Sequence, residues 1–338
     1  MTTIGTRDVD RSTMARTDHR VQSDPGVTIF VREVTSGPAA GTNILLVHGG
    51  GPGGLASFDL PVPGYSLAED LARAGHTAYV MDVRGWGGST RPAALDEPVD
   101  ANPPAVRSDE AARDISAVVD WIRERTGGQA VALLGWASGG HWCGMVAARN
   151  RDAISHLIML NSLYPVDAPW GLRSAFEHPD RPGEFNTAAG AYRVLTAEGL
   201  VKSWDATIPG DDPTAWRDPK VTAAFQRESL ASDPASSTRQ PPAMRAPSGF
   251  QHDSYLMARG TKFWDAADIS APILAIRGDR DHWSRPEDLI ALQRDAVNAQ
   301  SVTTVSIPGG SHYLFLDRPE RGRARFLREV TAFLNSPA

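Results

Sequence analysis

The sequence predicts an α/β protein: a doubly wound, mostly parallel sheet with an inserted, mainly helical cap. Three observations predict it. Short, wholly apolar runs recur along the chain, each the length of a strand buried on both faces. Amphipathic segments with helix-start and helix-stop residues lie between them. The alternation then lapses for 106 residues, from Leu163 to Asp268, before it resumes.

The first 18 residues are polar and aperiodic and are expected to form a flexible N-terminus. His19–Ser23 and Val27–Val31 flank Asp24-Pro25-Gly26, which reads as a hairpin with a Pro-Gly turn. Asn43–Val47 is the first buried-strand run. Thr77–Met81, Ala130–Leu134, His156–Leu160, Ile273–Ile276 and Val302–Ile307 follow. Ser66-Leu67-Ala68-Glu69 has the form of a capping box, opening a helix that stops at Gly75. Ser108 is placed to cap a longer helix whose Ile115, Val118, Val119 and Ile122 share one face, ending at Gly127. The last helix starts at Pro319 and turns Phe326, Leu327, Val330 and Phe333 inward. Residues 19–162 and 269–338 are thus expected to form the core, and 163–268 a cap or lid. That stretch holds 11 of the 25 prolines and four of the nine tryptophans, too long and too aromatic for a loop.

Composition excludes several classes of function. With 338 residues, 41% hydrophobic and 22% charged, the chain is long and apolar enough to fold around a large core. No apolar run approaches the ~20 residues that span a bilayer, so no membrane association is expected. Arg7, Asp8, Asp10, Arg11, Arg16, Asp18 and Arg20 leave no apolar block for a signal peptide. The one cysteine, Cys143, rules out an internal disulfide and fits a reducing cytoplasm. A net charge of −6 offers no footprint for nucleic acid. Only three of the 34 basic residues are Lys, a bias that points to a GC-rich bacterial genome.

In such sheets, sites form at the carboxyl ends of the strands. After Val47 comes His48-Gly49-Gly50-Gly51-Pro52-Gly53-Gly54, where Gly50 and Gly51 can turn backbone N–H groups toward a ligand oxygen. Gly49, Gly51 and Gly54 also match a dinucleotide-loop spacing. The acidic residues at the right distance, Glu69 and Asp70, fall in a predicted helix, and no P-loop lysine exists, so no cofactor is expected. His48 is expected to pin this loop rather than transfer protons. After Leu134 comes Gly135-Trp136-Ala137-Ser138-Gly139, the strand–turn–helix setting of a G-x-S-x-G nucleophile elbow. The nucleophile position is Ala137. Ser138 stands one place too late, but its N–H is expected in the oxyanion hole. Asp281, with Asp279 as its competitor, and then His312 follow the last two strand runs, completing the order nucleophile, acid, base.

On these residues the chain resembles the α/β-hydrolase superfamily. It looks most like the proline-iminopeptidase branch, whose pattern is echoed by His48-Gly49-Gly50-Gly51-Pro52-Gly53 and by Asp82-Val83-Arg84-Gly85-Trp86-Gly87-Gly88-Ser89. The resemblance covers roughly residues 27–162 and 270–334 and leaves out the cap, where substrate choice usually resides in that superfamily. It implies a serine hydrolase acting on a carboxylic ester or lactone, with aminopeptidase or amidase action as the alternative. An aminopeptidase should need an acidic group in the cap, for which Glu177, Glu184 and Glu198 are candidates.

Ala137 departs from that pattern and admits three readings. A serine replaced by alanine leaves a pocket that binds substrate without turnover, because losing the nucleophile costs about 10⁶ in rate, or about 8 kcal/mol. A natural relative could bind a small molecule without catalysis. Alternatively, His312 and Asp281 could do base chemistry alone, as in cofactor-free lyases or oxygenases. The first is favoured because the rest of the site looks intact. An aspartate nucleophile is disfavoured by the glycine loop and the following Ser-Gly-Gly.

Other residues have blander readings. His141 is expected to pack under the cap, His282 to sit at the rim, and Cys143 to be a packed apolar group. No metal is expected from nine scattered histidines. Trp86, Trp136 and Trp283 lie on three strand-end loops and Trp142 on the helix after the elbow, so together they are expected to wall a substrate pocket. With Trp170, Trp204, Trp216 and Trp264 in the cap, a bulky, largely apolar or cyclic small molecule is the expected partner. The cap's 11 basic and 14 acidic residues give no reason to expect a strongly charged one.

Overall fold

The computed structural model describes residues 14–37, 41–210 and 212–336. Two antiparallel strands, β1 (Ala15–Gln22) and β2 (Thr28–Thr35), open the chain. Then come β3 (Asn43–Val47), the short α1 (Gly54–Phe58), α2 (Leu67–Arg73), β4 (Thr77–Met81), α3 (Ser108–Arg125), β5 (Val131–Trp136), α4 (Ser138–Arg149) and β6 (Ile154–Leu160). An insertion follows: α5 (Arg173–Phe176), β7 (Glu177–His178), β8 (Arg181–Phe185), β9 (Tyr192–Thr196), α6 (Ala197–Asp205), α7 (Pro219–Ala231), β10 (Ala243–Pro247) and α8 (Gly249–Ala258). The chain closes with β11 (Ile273–Gly278), α9 (Pro286–Asp295), β12 (Val302–Ile307) and α10 (Arg323–Leu334).

Eight strands form one sheet in the order β1-β2-β4-β3-β5-β6-β11-β12, parallel from β4 to β12. Every residue of β3, β4 and β5 is buried, as their unbroken apolar runs require. The chain steps one way from β3 to β4 and the other way to β5, so the order reverses at β3. Open α/β sheets bind ligands at such a switch point. Val47 pairs with Gly135, so the loops leaving β3 and β5 start side by side.

Three expectations change. Residues 15–18 are not frayed: they pair with β2, and the Arg16 guanidinium donates to Asp59 at 2.8 Å and Glu69 at 2.6 Å. Ser108 is the first residue of α3 rather than its cap, and its N–H and Oγ both donate to Asp253 of the insertion at 2.7 Å. The insertion is mainly helical but also holds two small antiparallel pairs, β7–β8 and β9–β10. No strand of the insertion joins the main sheet. No helix among the described residues is long and apolar enough to cross a membrane.

Candidate active site

The turn between β5 and α4 is built by close approach. A side chain on Gly135 would lie 2.2 Å from the Gly139 carbonyl oxygen, and one on Gly139 would lie 2.3 Å from that of Val47. Only glycine lets strand, turn and helix meet so tightly. The residue between them, Ala137, has φ +53° and ψ −117°, a conformation that strains any residue with a Cβ. Its N–H donates to the Leu160 carbonyl at 2.9 Å, which holds the turn in place. Ser138 is the first residue of α4, so its N–H has no acceptor inside the helix. The Ser138 hydroxyl is buried without a hydrogen-bond partner among the described residues.

The glycine loop after β3 passes directly beside this turn: a Cβ on Gly49 would sit 3.1 Å from that of Ala137. Buried His48 fastens it. The Val83 N–H donates to His48 Nε2 at 3.0 Å, which leaves Nδ1–H to donate to the Gly49 carbonyl at 2.7 Å. Burial pushes the pKa of His48 down, against the pull of Asp82, so the ring serves as a neutral clamp.

His312 lines the same cavity as Ala137 and is bonded to Asp281. His312 Nδ1 and Asp281 Oδ1 are 2.6 Å apart, both residues being buried. The Trp283 N–H donates to Oδ1 at 3.0 Å, the Ser284 N–H to Oδ2 at 2.7 Å, and the Ser284 hydroxyl also to Oδ2. Burial works to raise the pKa of Asp281, but the His312 ring and these donors outweigh it and hold the carboxyl below its ordinary value. Asp279, the competing acid, is exposed and accepts from the Gly309 N–H instead. Asn161 ties the two loops together. Its amide oxygen accepts from the Gly278 N–H at 2.8 Å, and its amide nitrogen donates to the carbonyls of Ser311 and His312.

The His282 ring is tilted by 56° against that of His312 with ring centroids 4.8 Å apart, and burial pushes its pKa down to about 4. Asp281, His282 and His312 offer ligand atoms within 4.8 Å of one another. Asp281 and His312 are bonded directly to each other through Oδ1 and Nδ1, which suits acid–base chemistry. Cys143 is buried, and burial pushes its thiol far above the usual range.

A cavity of about 150 Å³ opens here, lined by Gly49, Gly50, Gly51, Trp136, Ala137, Ser138, Trp283 and His312 from the core. Trp86 and Trp142 do not line it. Both are wholly buried behind the glycine loop against His48, and the Trp86 indole N–H donates to the Gly51 carbonyl at 2.8 Å. The cap tryptophans also take another role: each donates its indole N–H to the core. Trp170 reaches the Trp283 carbonyl, Trp204 Asp317, Trp216 the Gly309 carbonyl and Trp264 His141 Nδ1, at 2.8–3.0 Å. They bolt the insertion down rather than surround a ligand. The enclosed space compares with one ring or a short acyl group.

The insertion's contribution to the cavity was not legible beforehand. Leu172, Arg193, Ser203 and Phe250 line it, with Tyr313 of the core. One arginine among many carries no sequence mark. Tyr313 follows His312 directly, a proximity that could have singled it out. Of the acidic candidates for binding an amine, Glu177 is paired with Arg173 and Tyr255, while Glu184 and Glu198 are exposed. None of the three lines the cavity.

A family model described as alpha/beta hydrolase fold matches residues 43–319. No curated protein matches the chain. Among solved structures, the thioesterase domain from the curacin biosynthetic pathway aligns over 95% of this chain and 100% of its own, at 14% identity and a TM-score of 0.60. A malate-bound thermophilic esterase from Thermogutta terrifontis covers the same shares, at 20% identity and 0.59. The enol-lactonase from Burkholderia xenovorans LB400 covers 94% and 100%, at 17% identity and 0.60.

Proposed function

From a chain that belongs to the alpha/beta-hydrolase fold family, we propose a serine-hydrolase site for carboxylic esters or lactones whose nucleophile position is occupied by Ala137. One observation carries this reading: a buried Asp281–His312 pair at 2.6 Å stands beside a turn whose central residue is held at φ +53°. A strained turn of this kind aims one side chain at the imidazole and one N–H at a developing oxyanion. With a serine at position 137, His312 would take the hydroxyl proton at Nε2 and return it to the leaving oxygen. Asp281 would orient the ring through Nδ1–H and stabilise the imidazolium. The N–H groups of Ser138 and of Gly50 or Gly51 would receive the oxyanion. The insertion acts as the cap that selects the substrate. As written, the chain binds substrate without covalent turnover.

The cavity charge argues against an aminopeptidase. A free amine calls for a carboxylate, and the cavity presents Arg193 instead. The test is Ala137→Ser, treated with a fluorophosphonate and a panel of aryl esters. An adduct at residue 137 together with ester hydrolysis is expected. A folded variant with neither overturns the reading. So does an adduct on Ser138 in the unsubstituted chain, or turnover by that chain which His312→Ala abolishes.

A further inference from the structure

Buried arginines in this protein have partners. Asp114 holds Arg84 and Asp288 holds Arg285, both at 2.6 Å, and Asp70 holds Arg323. Arg277 donates to the carbonyls of Asp281 and Ser284. Arg193 differs. Strand β9 brings it to the cavity that Ala137 and His312 also line. Its guanidinium carbon lies 4.8 Å from the centre of the Phe250 ring, and its one hydrogen bond goes to the Gly50 carbonyl at 2.5 Å. Its Nε is shut off from solvent with no acceptor, and no carboxylate among the described residues pairs with it. A guanidinium offers five N–H donors in a rigid fork, so most of that capacity is unspent.

Among the described residues, nothing else facing the cavity neutralises this charge. The Asp281 carboxylate is taken up by His312, Trp283 and Ser284. The Tyr313 and Ser203 hydroxyls bond each other at 2.9 Å. Burial lowers the Arg193 pKa to about 10, which still leaves it charged at neutral pH. A half-buried cation with its Nε–H shut off from both solvent and acceptor costs stability unless something completes it.

We propose that Arg193 anchors a carboxylate on the substrate, so that the site takes monoanionic esters or lactones in preference to neutral ones. This rests on the reading of the cavity as a hydrolase substrate site. Arg193 holds the carbonyl of Gly50, whose loop also faces the reacting carbonyl, and the cavity is small. The carboxylate therefore sits a few carbons from the scissile bond, as in a half-ester of a short dicarboxylic acid. A bidentate arginine–carboxylate pair supplies both charge and direction.

The test is calorimetric titration of the unsubstituted chain with phenyl hydrogen succinate and with its neutral methyl ester. The acid is expected to bind at least tenfold tighter. In Arg193→Met that preference should vanish while the neutral ester keeps its affinity within threefold. Equal affinity for the two probes in the unsubstituted chain overturns the proposal, whether or not the variant folds. So does an equal loss of both probes in a folded Arg193→Met, which would make the residue a clamp on the Gly50 loop. The two readings fail separately. Acid-selective binding with an inert Ala137→Ser sinks the hydrolase, whereas unselective ester hydrolysis by Ala137→Ser sinks only the anchor.

Discussion

Ala137 shows how a single residue can carry a structural cost. Its backbone lies where only glycine is at ease, yet alanine occupies it. Ala137→Gly should therefore stabilise the protein by about 1 kcal/mol, the relief of strain exceeding glycine's entropy cost. Urea unfolding would measure this, and a loss of stability would show that no strain is held there. Position 137, Asp281 and His312 were legible because the flanking glycines and the order of loops mark them in the chain. Asn161 was legible only as a missing acid. Its work as a tie between the β11 loop and the His312 loop needed the fold, because all its partners lie more than a hundred residues away.

Among the elements, the helices of the insertion and the His312 loop meet through one carboxyl. Asp317 is fully buried and accepts from Ser311 N–H at 3.0 Å, Ser311 Oγ at 2.9 Å and Trp204 Nε1 on α6 at 2.9 Å. Burial outweighs these bonds and pushes its pKa up to about 7. A carboxyl whose pKa is higher folded than unfolded stabilises the fold while protonated. That contribution is complete below about pH 4 and is lost as the pH rises through about 7. The stability of the unsubstituted chain relative to Asp317→Asn should thus fall by on the order of 2 kcal/mol between pH 5 and pH 8. Urea midpoints at the two pH values decide it, and a difference independent of pH would refute it. The strands at the sheet centre were legible to within a few residues, since burial on both faces leaves an unbroken apolar run. The pairs β7–β8 and β9–β10 were not, because short strands packed on one side carry little pattern.

On the scale of the whole molecule, the insertion and the sheet share one core. Trp170, Trp204, Phe225 and Trp264 of the insertion belong to the same buried cluster as β3, β5 and β11. The indole N–H groups of the three tryptophans end on core atoms, so the insertion removed from the core would leave both apolar surface and donors without partners. A peptide of residues 163–268 should show no cooperative unfolding transition by circular dichroism, and a sharp one would mean that it folds alone. The sequence by itself determined the sheet, the tight turn at Ala137 and the two loops that bring Asp281 to His312, because strand burial, tight turns and loop order are local and leave periodic or glycine-rich traces. Only the tertiary structure decided what fills the space above them. The cap tryptophans proved to be fasteners, Trp86 and Trp142 withdrew into the core, and Arg193 came to line the same cavity as His312. A near-even count of charges in the insertion hid that last fact, since a charge acts through the distance to its partners, and folding alone sets that distance.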